Sequence, residues 1–136
     1  MGRVRHVLLV EDNAADIGLV REALEEHKVR CELTVIVNGA RAIAFIDEAD
    51  AGEQVCPDLV IIDLNLPKKP GKEVLKRVRT STSCPDVPVI VLTSSDNQKD
   101  REEVASLSPY QYIRKPSKLN EFLKLGAMFK QILYPA

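Results

Sequence analysis

Asp58-Leu59-Val60-Ile61-Ile62-Asp63-Leu64-Asn65-Leu66-Pro67 is the stretch that decides the fold. Four consecutive apolar residues lie between two aspartates, with Pro57 ahead of them. A short unbroken apolar run of this kind suits a strand buried on both faces, as the strands of a parallel sheet are. Working outward, similar runs recur. His6-Val7-Leu8-Leu9-Val10 precedes Glu11-Asp12, and Val89-Ile90-Val91-Leu92 follows Pro88. Residues 33–37 and 111–114 read as further strands, the former ending at Asn38-Gly39.

Between these runs the period changes to that of a helix. Residues 14–26 carry Ile17, Val20, Ala23 and Leu24; residues 40–48 carry Ile43, Ala44 and Ile46; residues 72–79 carry Val74, Leu75 and Val78. Residues 98–107 form a weakly apolar helix pattern. Ser117 is a suitable N-cap for a last helix with Leu119, Phe122, Leu123, Leu125 and Phe129. Five strands alternating with five helices predict an α/β fold, a doubly wound five-stranded parallel sheet with helices on both faces. No repeat or linker divides the chain, so residues 1–136 are expected to form a single domain.

The bulk numbers exclude several functions. With 136 residues, 45% hydrophobic and 29% charged, the composition is that of an ordinary soluble domain. A net charge of −1 removes the electrostatic case for a nucleic-acid partner. Only four apolar residues lie between His6 and Glu11, too few for a signal peptide, and no window is long enough to span a membrane. Cys31, Cys56 and Cys84 lack metal-ligand spacing and read as reduced thiols of a cytoplasmic protein. His6, at the entry to a strand, and His27, at the end of a helix, read as incidental.

The polar residues at the strand ends carry the chemistry. Glu11-Asp12 end the first strand, and Asp63 ends the third, two residues before Asn65. Thr93-Ser94-Ser95 end the fourth, and Lys115-Pro116 end the fifth. Ligand sites of doubly wound sheets lie at the carboxyl ends of the strands. Three carboxylates gathered there repel one another and need a positive charge. Hard oxygen donors suit Mg²⁺, which takes one or two carboxylates and keeps several waters. One carboxylate is then left as a nucleophile toward phosphorus, with the Thr93 hydroxyl and the Lys115 ammonium to neutralise phosphoryl oxygens. Each residue also has an ordinary alternative: Asp12 or Asn13 as a helix cap, Thr93 and Ser94 as turn residues, Lys115 as a surface lysine. Their joint order at four strand ends favours the site.

Val10-Glu11-Asp12-Asn13, Asp58 through Pro67, Gly71, Val91-Leu92-Thr93-Ser94 and Lys115-Pro116 resemble the receiver domain of two-component response regulators. The resemblance spans about residues 6 to 130. Leu9-Val10-Glu11-Asp12-Asn13-Ala14-Ala15-Asp16 and Leu64-Asn65-Leu66-Pro67-Lys68-Lys69 are most similar to single-domain regulators that pair with bacterial phytochrome kinases. The resemblance implies a flavodoxin-like strand order 2-1-3-4-5. It makes Asp63 the phosphoacceptor. Asp12, Asp63 and the carbonyl of Asn65 would bind Mg²⁺ directly, with Glu11 acting through a metal-bound water. Lys115 would meet the phosphoryl group, fixed by a cis Pro116. Thr93 and the aromatic Tyr112 would be the switch. The implied phosphodonor is a sensor histidine kinase, such as a bacterial phytochrome, and output would pass to a downstream protein or phosphotransfer protein.

Departures from the usual pattern are Ser117 after Lys-Pro, Ser108-Pro109-Tyr110 before the fifth strand, and extra length assigned to residues 49–57. An aspartyl-phosphate phosphohydrolase is the alternative. Such an enzyme wants a second acid two residues past the nucleophile, where Asn65 stands. A nucleotide or flavin binder would want a Gly-rich loop after the first strand, which is absent. Ser95, two residues past Thr93, is short for placing a hydrolytic water, so a long-lived phosphorylated form is expected. Phe129, Leu133 and Tyr134 lie past the usual end of the domain. They are expected to be uncovered and, with Tyr110, to build a homodimer through the face of the fourth helix, fifth strand and last helix.

Overall fold

The computed structural model describes residues 2–135. The elements run β1 (His6–Val10), α1 (Ala14–Glu26), β2 (Glu32–Ile36), α2 (Gly39–Asp50), β3 (Leu59–Ile62), α3 (Gly71–Arg79), β4 (Val89–Thr93), α4 (Gln98–Ala105), β5 (Gln111–Arg114), α5 (Leu119–Leu123) and α6 (Leu125–Leu133). All five strands are parallel, in the order β2-β1-β3-β4-β5. The expected architecture and strand order are those observed.

The period of two along the strands divides the core into two layers. Leu8 and Val10 of β1, Val60 and Ile62 of β3, and Val89 and Val91 of β4 face α2, α3 and Val104 of α4. Val7 and Leu9, Leu59 and Ile61, and Ile90 and Leu92 face α1, Phe122 of α5, and Phe129 and Leu133 of α6. Helix starts follow the capping rule: the side chains of Asn13, Asn38 and Asn97 each accept from a backbone amide two or three residues on.

Four expectations are corrected. Ser117 caps nothing; the last helix begins after Lys118, with no side-chain cap, and breaks at Lys124 into α5 and α6. The break goes with a close approach to α1. A Cβ on Gly126 would stand 2.2 Å from the Ala23 carbonyl oxygen and 2.4 Å from His27 Cδ2, so only glycine lets α6 seat there. Phe129 and Leu133 are not bare: they are 0% and 3% exposed, packed with Val20, Ala23 and Leu24 of α1. Truncating a buried Phe to Ala costs about 3–5 kcal/mol, so this tail belongs to the core. Tyr134 is tied down as well, its hydroxyl on the Arg30 carbonyl at 2.5 Å and Arg5 stacked 4.9 Å from its ring centroid.

The cysteines are the third correction. Cys56 and Cys84 form a disulfide with Cα atoms 5.8 Å apart, and only Cys31 is free. Parallel pairing of β3 with β4 brings the segments entering both strands together, 28 residues apart in sequence. The fourth is Pro116: no cis peptide bond occurs among the described residues, so Lys115–Pro116 is trans.

Candidate functional site

Backbone pairing continues one residue past the strands and sets the site. The Glu11 amide donates to the Ile36 carbonyl (3.0 Å), that of Asp63 to Val10 (3.1 Å), and that of Lys115 to Thr93 (2.8 Å). Glu11, Asp63, Thr93 and Lys115 therefore stand along one edge of the sheet, the edge predicted from their positions after apolar runs. Gly71 closes the loop after β3. Its amide donates to the Leu64 carbonyl (2.9 Å), and a Cβ there would lie 2.2 Å from the Asp63 carbonyl oxygen. A larger residue would push the start of α3 off the end of β3.

Both oxygens of Asp63 are held. Thr93 Oγ1 donates to Oδ1 (2.7 Å), as does the Asn65 amide (3.1 Å), and Lys115 Nζ donates to Oδ2 (2.8 Å). Burial alone would push the Asp63 carboxyl up. The bonds from Lys115, Thr93 and Asn65 outweigh it and hold the group below the usual carboxylate range, ionised at neutral pH. Glu11, 3% exposed, takes Lys115 on Oε1 at 2.8 Å and the amides of Asp12 and Asn13 on Oε2, each at 3.2 Å. Burial raises its pKa, helped by the charge of Asp63 and opposed by Lys115. Burial would lower the pKa of Lys115, but its bonds to Asp16, Asp63 and Glu11 leave it above that of an ordinary lysine.

Asp12 is exposed and completes the acid group. One carboxylate oxygen from each of Glu11, Asp12 and Asp63 lies within 4.8 Å of the others. Glu11, Asp12, Asp16 and Asp63 gather four carboxylates around one ammonium, which pairs with three of them, a net charge of −3 when all are ionised. Hard oxygens, no imidazole or thiolate, and excess negative charge fit a divalent cation.

Asp16 was not legible as a site residue. Its Oδ2 lies 2.7 Å from Lys115 Nζ, across 99 positions of sequence. The available signal was its place in the first turn of α1, three residues after the Asn13 cap and four after Asp12. Tyr112 is half-buried. Its hydroxyl donates to the Ser95 carbonyl (2.8 Å), on the loop leaving Thr93, and Arg101 lies 4.4 Å from its ring centroid.

Comparison with known proteins agrees with this geometry. Residues 7–126 match the family described as response regulator receiver domain. Response regulator Rcp1 of Synechocystis sp. is 37% identical over 120 residues, covering 88% of this chain and 82% of the relative. A probable methanogenesis regulatory protein, FilR2 of Methanothrix harundinacea, is 33% identical, covering 81% and 71%. Among solved structures, the phosphorylated cyanobacterial phytochrome response regulator RcpA superposes with a TM-score of 0.87 at 32% identity, covering 98% of this chain and 96% of that one. The Mn²⁺-bound form of Rcp1 gives 0.86 at 33% identity, covering 97% and 96%. An α/β sheet of order 2-1-3-4-5, an acid cluster at its carboxyl edge and these matches together mean that the chain belongs to the response-regulator receiver family and is a two-component signalling switch.

Proposed function

We propose that Asp63 accepts a phosphoryl group from a sensor histidine kinase in a Mg²⁺-dependent reaction. The observation that carries this is the Asp63 carboxylate, ionised, held by Lys115 and Thr93, and adjacent to the carboxylates of Glu11 and Asp12. An Asp63 oxygen forms the O–P bond as the P–N bond of phosphohistidine breaks, and the electron pair leaves with the imidazole nitrogen. Bound Mg²⁺ supplies charge neutralisation for the acids and the phosphoryl oxygens. Asp12, Asp63 and the Asn65 carbonyl would be the direct ligands in this reading, and Glu11 would act through water. Lys115 meets one phosphoryl oxygen; the Thr93 hydroxyl moves from Asp63 to another, and Tyr112 follows it inward.

The resemblance to RcpA and Rcp1 supports a phytochrome-type kinase as the donor. Coverage of 96% of both solved chains supports reading residues 1–136 as a single receiver domain. A cytoplasmic setting and output through a downstream protein or phosphotransfer protein complete the reading. No described helix is long and apolar enough to cross a membrane. Homodimerisation through the α4–β5–α5 face is also proposed. Its support is the exposure of Tyr110 and Leu119, since the tail lies in the core.

Acetyl phosphate with Mg²⁺ tests the central claim. The wild type should gain one acid-labile phosphate, seen as a mass shift, and Asp63→Asn or removal of Mg²⁺ should abolish it. Stoichiometric labelling of Asp63→Asn would overturn the acceptor assignment. Sedimentation at tens of micromolar, with and without beryllofluoride, tests the dimer; a monomer in both states refutes it.

A further inference from the structure

We infer that Asp16 is a positioning residue for phosphoryl transfer, acting by anchoring the Lys115 ammonium from the side of α1. The inference rests on Asp63 being the phosphoacceptor. An ammonium has three N–H donors. Lys115 Nζ donates to Asp63 (2.8 Å) and Asp16 (2.7 Å) and pairs by charge with Glu11 (2.8 Å). The three acids come from separate elements: the ends of β1 and β3, and the first turn of α1.

Two of these three carboxylates have other roles during the reaction. When the O–P bond forms on Asp63, as the P–O bond to acetate or the P–N bond to imidazole breaks, that carboxylate loses its charge. Lys115 must then turn from it to a phosphoryl oxygen. Glu11 sits in the acid group that would hold the cation. Asp16 lies outside that group, and Lys115 is its one ion-pair partner among the described residues. It is set in place by its own amide, which donates to Asn13 Oδ1 (3.0 Å) at the cap of α1. Asp16 is therefore the contact of Lys115 that need not change on phosphorylation. It keeps a long, flexible side chain aimed while the other two contacts are exchanged. The Lys115 side chain is only 10% exposed and that of Asp16 21%, so the pair is shielded from bulk solvent more than a surface ion pair is.

The test compares Asp16→Ala, Asp16→Asn, Lys115→Ala and the double variant Asp16→Ala/Lys115→Ala. Two quantities are read: the rate of phosphorylation by acetyl phosphate at saturating Mg²⁺, and the affinity for beryllofluoride. Mg²⁺ affinity is measured separately by calorimetry. Asp16→Ala should lower the rate and the beryllofluoride affinity by at least about tenfold, the scale of one hydrogen bond to a charged group. Its Mg²⁺ affinity should stay within about twofold of wild type, because Asp16 is outside the cation's donor set. Asp16→Asn keeps an acceptor oxygen for Lys115 and should recover most of the loss. On the Lys115→Ala background, Asp16→Ala should change beryllofluoride affinity no further. Wild-type behaviour of Asp16→Ala would overturn the inference. So would a parallel fall in Mg²⁺ affinity, an equal effect without Lys115, or failure of Asn to rescue. If the wild type itself takes up no phosphate, the phosphoacceptor reading fails instead.

Discussion

Glu11 and Asp12 are chain neighbours with different prospects as metal ligands. Both Glu11 oxygens are already engaged, by Lys115 and by two backbone amides, whereas Asp12 is exposed. Asp12→Ala should therefore weaken Mg²⁺ binding by roughly tenfold or more, and Glu11→Ala by less, as calorimetric titration would register. The reverse order would overturn the division between direct and water-mediated ligand. Ser95 invites a second measurement. Its hydroxyl donates to Asp100 (2.9 Å), turned toward the start of α4. A side chain so short and so occupied is poorly suited to orient a water behind phosphorus. The phosphorylated form should outlast that of fast chemotaxis-type receivers, and decay within seconds after kinase removal would count against this. At this scale the acids were readable because each directly follows an apolar run. The partner of Lys115 on α1 was hidden, because an ion pair spanning 99 positions leaves no local pattern.

Among the elements, β1, α1 and β5 were readable to the residue, since polar or capping residues bracket clear apolar periods. β2 was misplaced by one position. Pairing of His6 with Glu32 sets its register, and Val37 is left exposed outside the sheet. α2 runs to Asp50 because that residue has tertiary work at the end of the helix. Its carboxylate accepts from Ser81 Oγ (2.5 Å), Arg77 Nη2 (2.8 Å) and the amides of Ser83 (3.0 Å) and Thr82 (3.3 Å). The bonds from Ser81 and Arg77 hold its pKa well below the usual range. A depressed folded-state pKa contributes stability that is complete above the unfolded value of about 3.9 and is lost as pH falls below it. Asp50→Ala should lower the urea midpoint at pH 7, and the gap from wild type should narrow as pH is taken below about 3.9. A constant gap would show that the charge is not responsible. The seat of α6 on α1 had no sequence signal beyond a glycine. Gly126→Ala should destabilise by about 1–3 kcal/mol, because the added methyl meets the Ala23 backbone as well as the His27 ring. Unchanged thermal unfolding would mean the two helices are not in register as described.

For the molecule as a whole, two apolar layers on one sheet supply the core, and one covalent tie crosses its lower edge, away from the acid cluster. The Cys56–Cys84 pairing was unreadable, since no spacing motif joins cysteines 28 residues apart and only the β3–β4 pairing brings them together. By chain entropy a loop of that length stabilises by about 3.5 kcal/mol. Reduction, or Cys56→Ser, should lower Tm accordingly in a calorimetric scan, while leaving acetyl phosphate labelling intact. Equal Tm with and without reductant would show the pair is open in solution. The tail has a different kind of consequence. Arg5, just ahead of β1, donates from Nε to the Leu133 carbonyl (2.9 Å) and stacks on Tyr134, so the beginning and end of the folded chain meet. The order of elements along the polypeptide is thus separable from their packing. A few residues would suffice to join the two ends, and the exposed turn at Gly52, with its φ of 79°, offers a place where the ring so made could be opened again.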